Sequence, residues 1–218
     1  MRRDVVSSAL GAVVLTLLLG LAYPLVVTGV AQVVFPGRAN GEQVRVAGTV
    51  VGSRRIGQSF ADPVLGPDGK PRLDAHGNVL TTPDARYFQS RPSATVPSEN
   101  AAATAFSNLG PNNTATEQAI AANIEGYLAL ERPYVAGLTA GTIPVDAVDS
   151  SASGIDPDIS VANARIQAHR IAAVRHLPAD VVAGMIAANT DGRTLGIFGE
   201  PGVNVLELNL ALDRRAGR

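Results

Sequence analysis

Residues 5–35 carry no charged side chain. A helix of these 31 residues is about 46 Å long at about 1.5 Å per residue, against a hydrocarbon core about 30 Å thick. A run of this kind finds no soluble core that shields every face, so it predicts one membrane-spanning helix, with tilt or an extension beyond the bilayer taking up the excess. Pro24 lacks an N–H and crowds the preceding turn, which predicts an interruption there, and Pro36-Gly37 predicts the end. A cleaved signal peptide is the competing reading, since Gly29-Val30-Ala31 offers a small-x-small site. The apolar run, however, is about twice the 7–15 residues of a signal core. Arg2 and Arg3 precede the run, and a short tail is easily left inside, so the expected topology is a cytoplasmic tail (1–4), a spanning helix (5–35) and an extracytoplasmic domain (36–218) in the inner membrane.

Beyond residue 35 stand 16 basic residues (18 minus Arg2 and Arg3) and 18 acidic ones (19 minus Asp4). That balance suits a solvated domain and gives no footprint for nucleic acid. The absence of cysteine excludes disulfides, thiolate nucleophiles and cysteine-ligated metals. Lys70 is the sole lysine and sits in Gly-Pro-Asp-Gly-Lys-Pro, which excludes both a P-loop and an Asp-Lys-Thr-Gly-Thr phosphorylation site.

The local pattern predicts an α+β domain. Val44, Val46 and Val50 alternate along an extended segment from Gln43 to Val51. Residues 62–84 are crowded with Gly, Pro, Asp and Asn and read as a surface insertion. Arg86–Gln89 suggests a short strand. Thr114-Ala-Thr-Glu117 fits a capping box ahead of a helix carrying Ile120, Ile124, Tyr127 and Leu128 on one face, stopped by Pro133. Ser160 is placed to cap a helix over Val161–Arg175, and Pro178 to open another toward Asn189. Val203–Leu212 alternates apolar and polar residues and is the strongest strand signal of the chain, with a short helix through Leu206 and Leu210 as the alternative.

No reactive constellation emerges. Ser153, Asp156 and His169 make a poor triad without a G-x-S-x-G elbow. His169 and His176 lack a completing carboxylate for a metal, and Asp156-Pro157-Asp158 reads as turn and cap chemistry. A structural or binding role is therefore expected, with an anchored solute-binding module or an exported hydrolase using Ser153 as the alternatives.

Five ordered segments resemble one family. They are Gly52-Ser53 with Ile56-Gly57-Gln58-Ser59-Phe60; Tyr87-Phe88-Gln89-Ser90-Arg91-Pro92-Ser93-Ala94; Ser107-Asn108-Leu109-Gly110-Pro111-Asn112-Asn113; Ser151 to Ala164 followed by Gln167 and Arg170; and Val203-Asn204-Val205-Leu206-Glu207-Leu208-Asn209. Together they resemble the C chain (KdpC) of potassium-transporting P-type ATPases. The sequence departs from the family pattern at Ala152, Asp158, Val161, Asn189 and Gly202. The resemblance implies a non-catalytic subunit without metal or intrinsic cofactor, ATP and Mg acting on a partner. The implied partners are a channel-like potassium-selective subunit, an ATP-hydrolysing pump subunit and a small single-helix subunit. It also implies a catalytic chaperone that raises the pump's affinity for ATP. With the domain on the side opposite the nucleotide, that effect is expected to be indirect. For partner contact the candidates are Ser8, Gly11, Ala12, Gly20 and Gly29, which allow close helix approach. The polar motif residues Gln58, Ser107, Asn108, Gly110, Asn112, Ser153, Gly154, Asp156, Asn163, Gln167 and Asn204 complete the set.

Overall fold

The computed structural model describes residues 1–74, 77–103 and 108–217. It divides into two compact units, Met1–Val51 and Gly52–Arg218.

The first unit is dominated by one continuous helical rod, Arg2–Val34, apolar enough to cross a membrane and with no buried residue in its apolar window. Its α1 (Arg2–Leu17) passes through a π-helical turn (Leu18–Ala22) into α2 (Tyr23–Val34). The interruption expected at Pro24 thus takes the form of a widened turn: the Tyr23 N–H reaches the Leu18 carbonyl, five residues back. A π turn of this kind lets the rod pass a residue that lacks a donor. Phe35 leaves helical geometry and Pro36 opens one further turn, α3 (Pro36–Ala39).

The extended segment expected over Gln43–Val51 is instead a hairpin of β1 (Gln43–Val46) and β2 (Thr49–Ser53). Ala47 and Gly48, both at positive φ, make the two-residue turn. Alternating valines fit either one strand or two, and Ala-Gly is a weak turn signal beside Asn-Gly.

In the second unit, β3 (Ala61–Pro63) and β4 (Thr81–Pro83) pair antiparallel at the base of the turn-rich excursion. Between them the chain folds back in small steps, with isolated bridges Leu65↔Pro71 and Leu73↔Val79. Then α4 (Thr114–Glu131) begins one residue away from the expected cap: the side chain of Asn113, not that of Thr114, accepts from the Ala115 N–H. Two short 3-10 turns, Ala140–Thr142 and Val145–Ala147, lead to β5 (Asp158–Ser160), α5 (Val161–Val174), α6 (Ala179–Ala188), β6 (Thr190–Asp191), β7 (Gly202–Asn204) and α7 (Val205–Arg215). As expected, the Ser160 hydroxyl caps α5, accepting from the Asn163 N–H, and Pro178 precedes α6.

β5, β7 and β6 form an antiparallel sheet in that order, with Ile159 opposite Val203 and Thr190 opposite Val203. The core gathers Phe88, Ile159, Ala164, Ile171, Val182, Ile186, Val203, Val205, Leu208 and Leu212. The mixture of helix and strand behind one apolar N-terminal helix is the α+β arrangement expected.

Val203–Leu212 overturns the strand reading, since only its first two residues pair and the rest is α7. Val205, Leu208, Asn209 and Leu212 are buried at the i, i+3, i+4, i+7 spacing of a helix face. Asn204 decides the outcome. Its side chain accepts from the Glu207 N–H, Leu, Ala and Glu favour helix over strand, and Arg214 and Arg215 close the negative end.

Candidate partner-facing site

Four of the motif segments, 52–60, 87–94, 151–170 and 203–209, are joined to one another by hydrogen bonds, most of them made by polar side chains. The expected strand over Arg86–Gln89 is not formed: the segment pairs with no strand among the described residues. Two side-chain amides take the place of a neighbouring strand. Asn209 accepts from the Phe88 N–H (2.9 Å) and donates to the Phe88 carbonyl (2.9 Å). Gln167 accepts from the Gln89 N–H (2.7 Å) and donates to the Gln89 carbonyl (3.1 Å). Both amides are buried, so these four backbone groups avoid the cost of desolvation without a partner.

One polar stripe of α5 continues this network. The Asn163 side chain accepts from Tyr127 Oη (2.9 Å) and Gln167 Nε2 (3.0 Å) and donates to Asp146 Oδ2 (3.0 Å). Two turns on, Arg170 donates to Glu131 Oε1 (2.9 Å), to Gln167 Oε1 (3.0 Å) and to the carbonyls of Ala85 (2.6 Å) and Tyr87 (2.9 Å). The Arg170 and Glu131 side chains are both 0% exposed. Burial pushes the Glu131 carboxyl up, and the adjoining guanidinium opposes that shift. Burial likewise raises the Tyr127 hydroxyl, with the nearby Glu131 and Asp146 charges adding to it. Asn204, besides capping α7, donates to the Arg54 carbonyl and to Asp158 Oδ1 (both 3.1 Å).

A second knot joins the Arg-Pro-Ser-Ala segment to the loop before β5. Ser93 Oγ donates to the Gly154 carbonyl (2.6 Å) and accepts from the Thr95 and Glu99 N–H groups. The Arg91 guanidinium donates to Asp156 Oδ2 (3.0 Å). The Ser90 hydroxyl donates to the Gln58 carbonyl (3.0 Å), and the Gly57 N–H donates to the Ile155 carbonyl (2.8 Å). Gly57 is required by close approach: a Cβ there would overlap Glu99 Oε2 and stand 2.7 Å from the Asp156 carbonyl oxygen. Gly57→Ala is expected to destabilise the second unit by about 1–3 kcal/mol, read as a lowered denaturation midpoint.

Glu99 is buried with Oε2 unpartnered. Burial first, then the Asp156 charge, raises its carboxyl to about 7, with Arg91 opposing. The folded state therefore holds this proton more tightly than the unfolded chain does. The contribution of this group to stability is fully present below the ordinary carboxylate range and is lost as pH rises through about 7. Glu99→Gln is expected to flatten that decline and to add about 1–2 kcal/mol at pH 8, measured by denaturation midpoints across pH 4–8.

Beside this knot a cleft of about 240 Å³ opens between Pro92–Ala94, Leu109, the face of α4 from Ala115 to Asn123, and Val148–Ser150. Three motif segments line it or border it. Of the loop candidates, Asn108, Gly110 and Asn112 are exposed at its rim segment, while Ser107 lies outside the described residues. Ser153 is exposed and Gly154 buried. The Ser153 hydroxyl accepts from the Ile155 N–H, Asp156 binds Arg91 and the Asp158 N–H, and His169 is exposed on α5; no hydrogen bond among described residues joins the three as a triad. Asn163, Gln167 and Asn204 are interior and hold the fold, and Gln58 is half-buried. On the rod, Ser8, Ala12, Gly20 and Gly29 are exposed and Gly11 nearly so, with open space where a Cβ at Gly11 or Gly29 would stand. No cluster of three or more metal-ligating side chains is found among the described residues. Sequence reasoning missed Glu131, Asn209 and Glu99. Asn209 had a signal, an amide on the buried stripe of a helix, that the strand reading concealed.

The description "K+-transporting ATPase, c chain" belongs to the KdpC family model, which matches residues 5–214. The chain belongs to the KdpC family. A potassium-transporting ATPase KdpC subunit of Methylobacterium nodulans is 45% identical over 207 residues, covering 94% of each chain. Those of Variovorax paradoxus and Bradyrhizobium diazoefficiens are 44% identical (93% of this chain, 91% of the relative) and 38% identical (100% of both). For a KdpC subunit, the bare apolar rod is a membrane anchor. Two of the departures from the family pattern adjoin: a Cβ at Gly202 would stand 3.1 Å from that of Asp158. Asn189 ends α6, its amide donating to the Met185 carbonyl, and Val161 opens α5. Nothing in the structure explains Ala152.

Proposed function

We propose that this KdpC-family chain is a non-catalytic subunit that assembles and stabilises an ATP-driven potassium importer. Its second unit stands on the extracytoplasmic side, against the potassium-selective subunit. Its anchor packs between partner helices, and through differential contacts with the pump's states it promotes ATP binding or turnover there. ATP and Mg act on the pump subunit. The observation that carries this reading is the contrast between the two units. The rod buries no residue of its apolar window and leaves open space beside Gly11 and Gly29 for neighbours. Motif side chains of the second unit such as Ser93, Gln167 and Asn209 bond inward and shape a scaffold. The test is recovery of the tagged chain in mild detergent from potassium-starved cells. Co-purification with two large membrane subunits, and loss of their potassium-dependent ATPase activity when the chain is deleted, is expected. A chain that runs alone in every detergent and salt tried contradicts the proposal.

A further inference from the structure

Between β6 and β7 the chain forms a closed knuckle whose apolar side chains point nowhere into the fold. Leu195, Ile197 and Phe198 are 85%, 69% and 61% exposed. The knuckle is nevertheless built firmly. Thr194 and Phe198 exchange backbone hydrogen bonds (2.8 and 3.0 Å), the Gly196 N–H donates to the Arg193 carbonyl (3.0 Å), and Arg193 pairs with Glu200 across its base (2.7 Å). Leu195 is held at φ +55°, a conformation a branched side chain adopts at a cost.

The knuckle leaves the fold from Gly192 and returns at Pro201, and both residues line an open groove of about 520 Å³. Its walls are Val161, Ala183, Ile186 and Ala187, with Arg165 of α5 at the edge. The Arg165 guanidinium makes no hydrogen bond or ion pair among the described residues. Groove and knuckle therefore make one apolar surface with a single unneutralised cation. The neighbouring cations are already engaged: Arg193 by Glu200, and Arg54 by Asp191 and Glu207.

The charge pattern selects the occupant. An anionic lipid surface is recognised by free cations surrounding apolar anchors, whereas Asp191, Arg193 and Glu200 at the knuckle's base sum to −1. A second copy of the same patch would offer Arg165 only carboxylates that are already paired, Asp191 and Glu207 with Arg54 and Glu200 with Arg193. An apolar peptide segment carrying one Asp or Glu satisfies both halves of the surface. We propose that the groove between α5 and α6, together with the 194–198 knuckle, is the docking surface for an apolar, carboxylate-bearing extracytoplasmic segment of another subunit of the transport complex. This rests on the reading of the chain as an assembled subunit.

The experiment uses the full complex in native membranes. A photoreactive benzoylphenylalanine replaces Ile197, and Arg165→Glu, Phe198→Asp and Arg165→Lys are compared for recovery of partner subunits. The expected result is a cross-link from position 197 into another subunit of the complex. Arg165→Glu and Phe198→Asp are expected to lower recovery about tenfold, and Arg165→Lys to retain most of it, with unchanged melting of the variant chains. Cross-links to lipid alone, to a second copy alone, or to nothing, from a wild-type complex that co-purifies normally, overturn the docking surface and leave the proposed function standing. Full recovery with Arg165→Glu overturns it as well. Failure of the wild-type chain to co-purify removes the proposed function and this surface with it.

Discussion

Arg170→Met is expected to destabilise the second unit by about 3–5 kcal/mol, the cost of leaving one member of a buried ion pair uncompensated. The substitution strands the Glu131 carboxylate, whose Oε2 already lacks a partner. It also removes the donor from the carbonyls of Ala85 and Tyr87 and from Gln167 Oε1. The readout is the denaturant midpoint of the full chain in mild detergent, followed by circular dichroism, since the sequence contains no Trp. Adding Glu131→Leu is expected to recover about half of the loss, because it removes the buried charge but leaves the Ala85 carbonyl without its donor. A loss under about 1 kcal/mol for the single variant contradicts the role given to this pair.

Asn209→Leu comes second, at about 2–4 kcal/mol. The replacement is close in volume, so the packing of α7 changes little. What is lost is both hydrogen bonds to Phe88, leaving a buried N–H and a buried carbonyl unpaired. Hydrogen exchange should show the Phe88 amide opening well before the amides of α5. If Asn209→Leu melts like the wild type, the amide-for-strand substitution is not what holds this segment.

These two side chains also mark the boundary of what a sequence discloses. The anchor was readable because membrane insertion depends on a property summed over many residues, and one charge would have spoiled it. The cap at Ser160 and the helix start at Pro178 were readable because helix starts are local chemistry, decided within four residues. Asn113 in place of Thr114 is a slip of one residue between two polar candidates that both precede an acceptable helix. The failure at Val203–Leu212 has a definite cause: leucines two apart satisfy the period of a strand, and the same residues with Asn209 satisfy a helix face. Asn204 and Glu207 carried the deciding signal at the cap. The pairing of Arg170 with Glu131 spans 39 residues and has no periodic signature, because it depends on how α4 lies against α5. For the same reason the inward bonding of Asn163, Gln167 and Asn204 was hidden. Polar residues in a motif look alike whether they face a partner or the interior.

The proposed function depends on which side of the membrane the second unit occupies. The chain has no cysteine, so Lys70→Cys, at an exposed turn of the 62–84 excursion, provides a single reporter. A membrane-impermeant maleimide applied to intact cells with the outer barrier opened is predicted to label it fully. Labelling that appears only after the inner membrane is broken would place the unit with the nucleotide and contradict the proposed function.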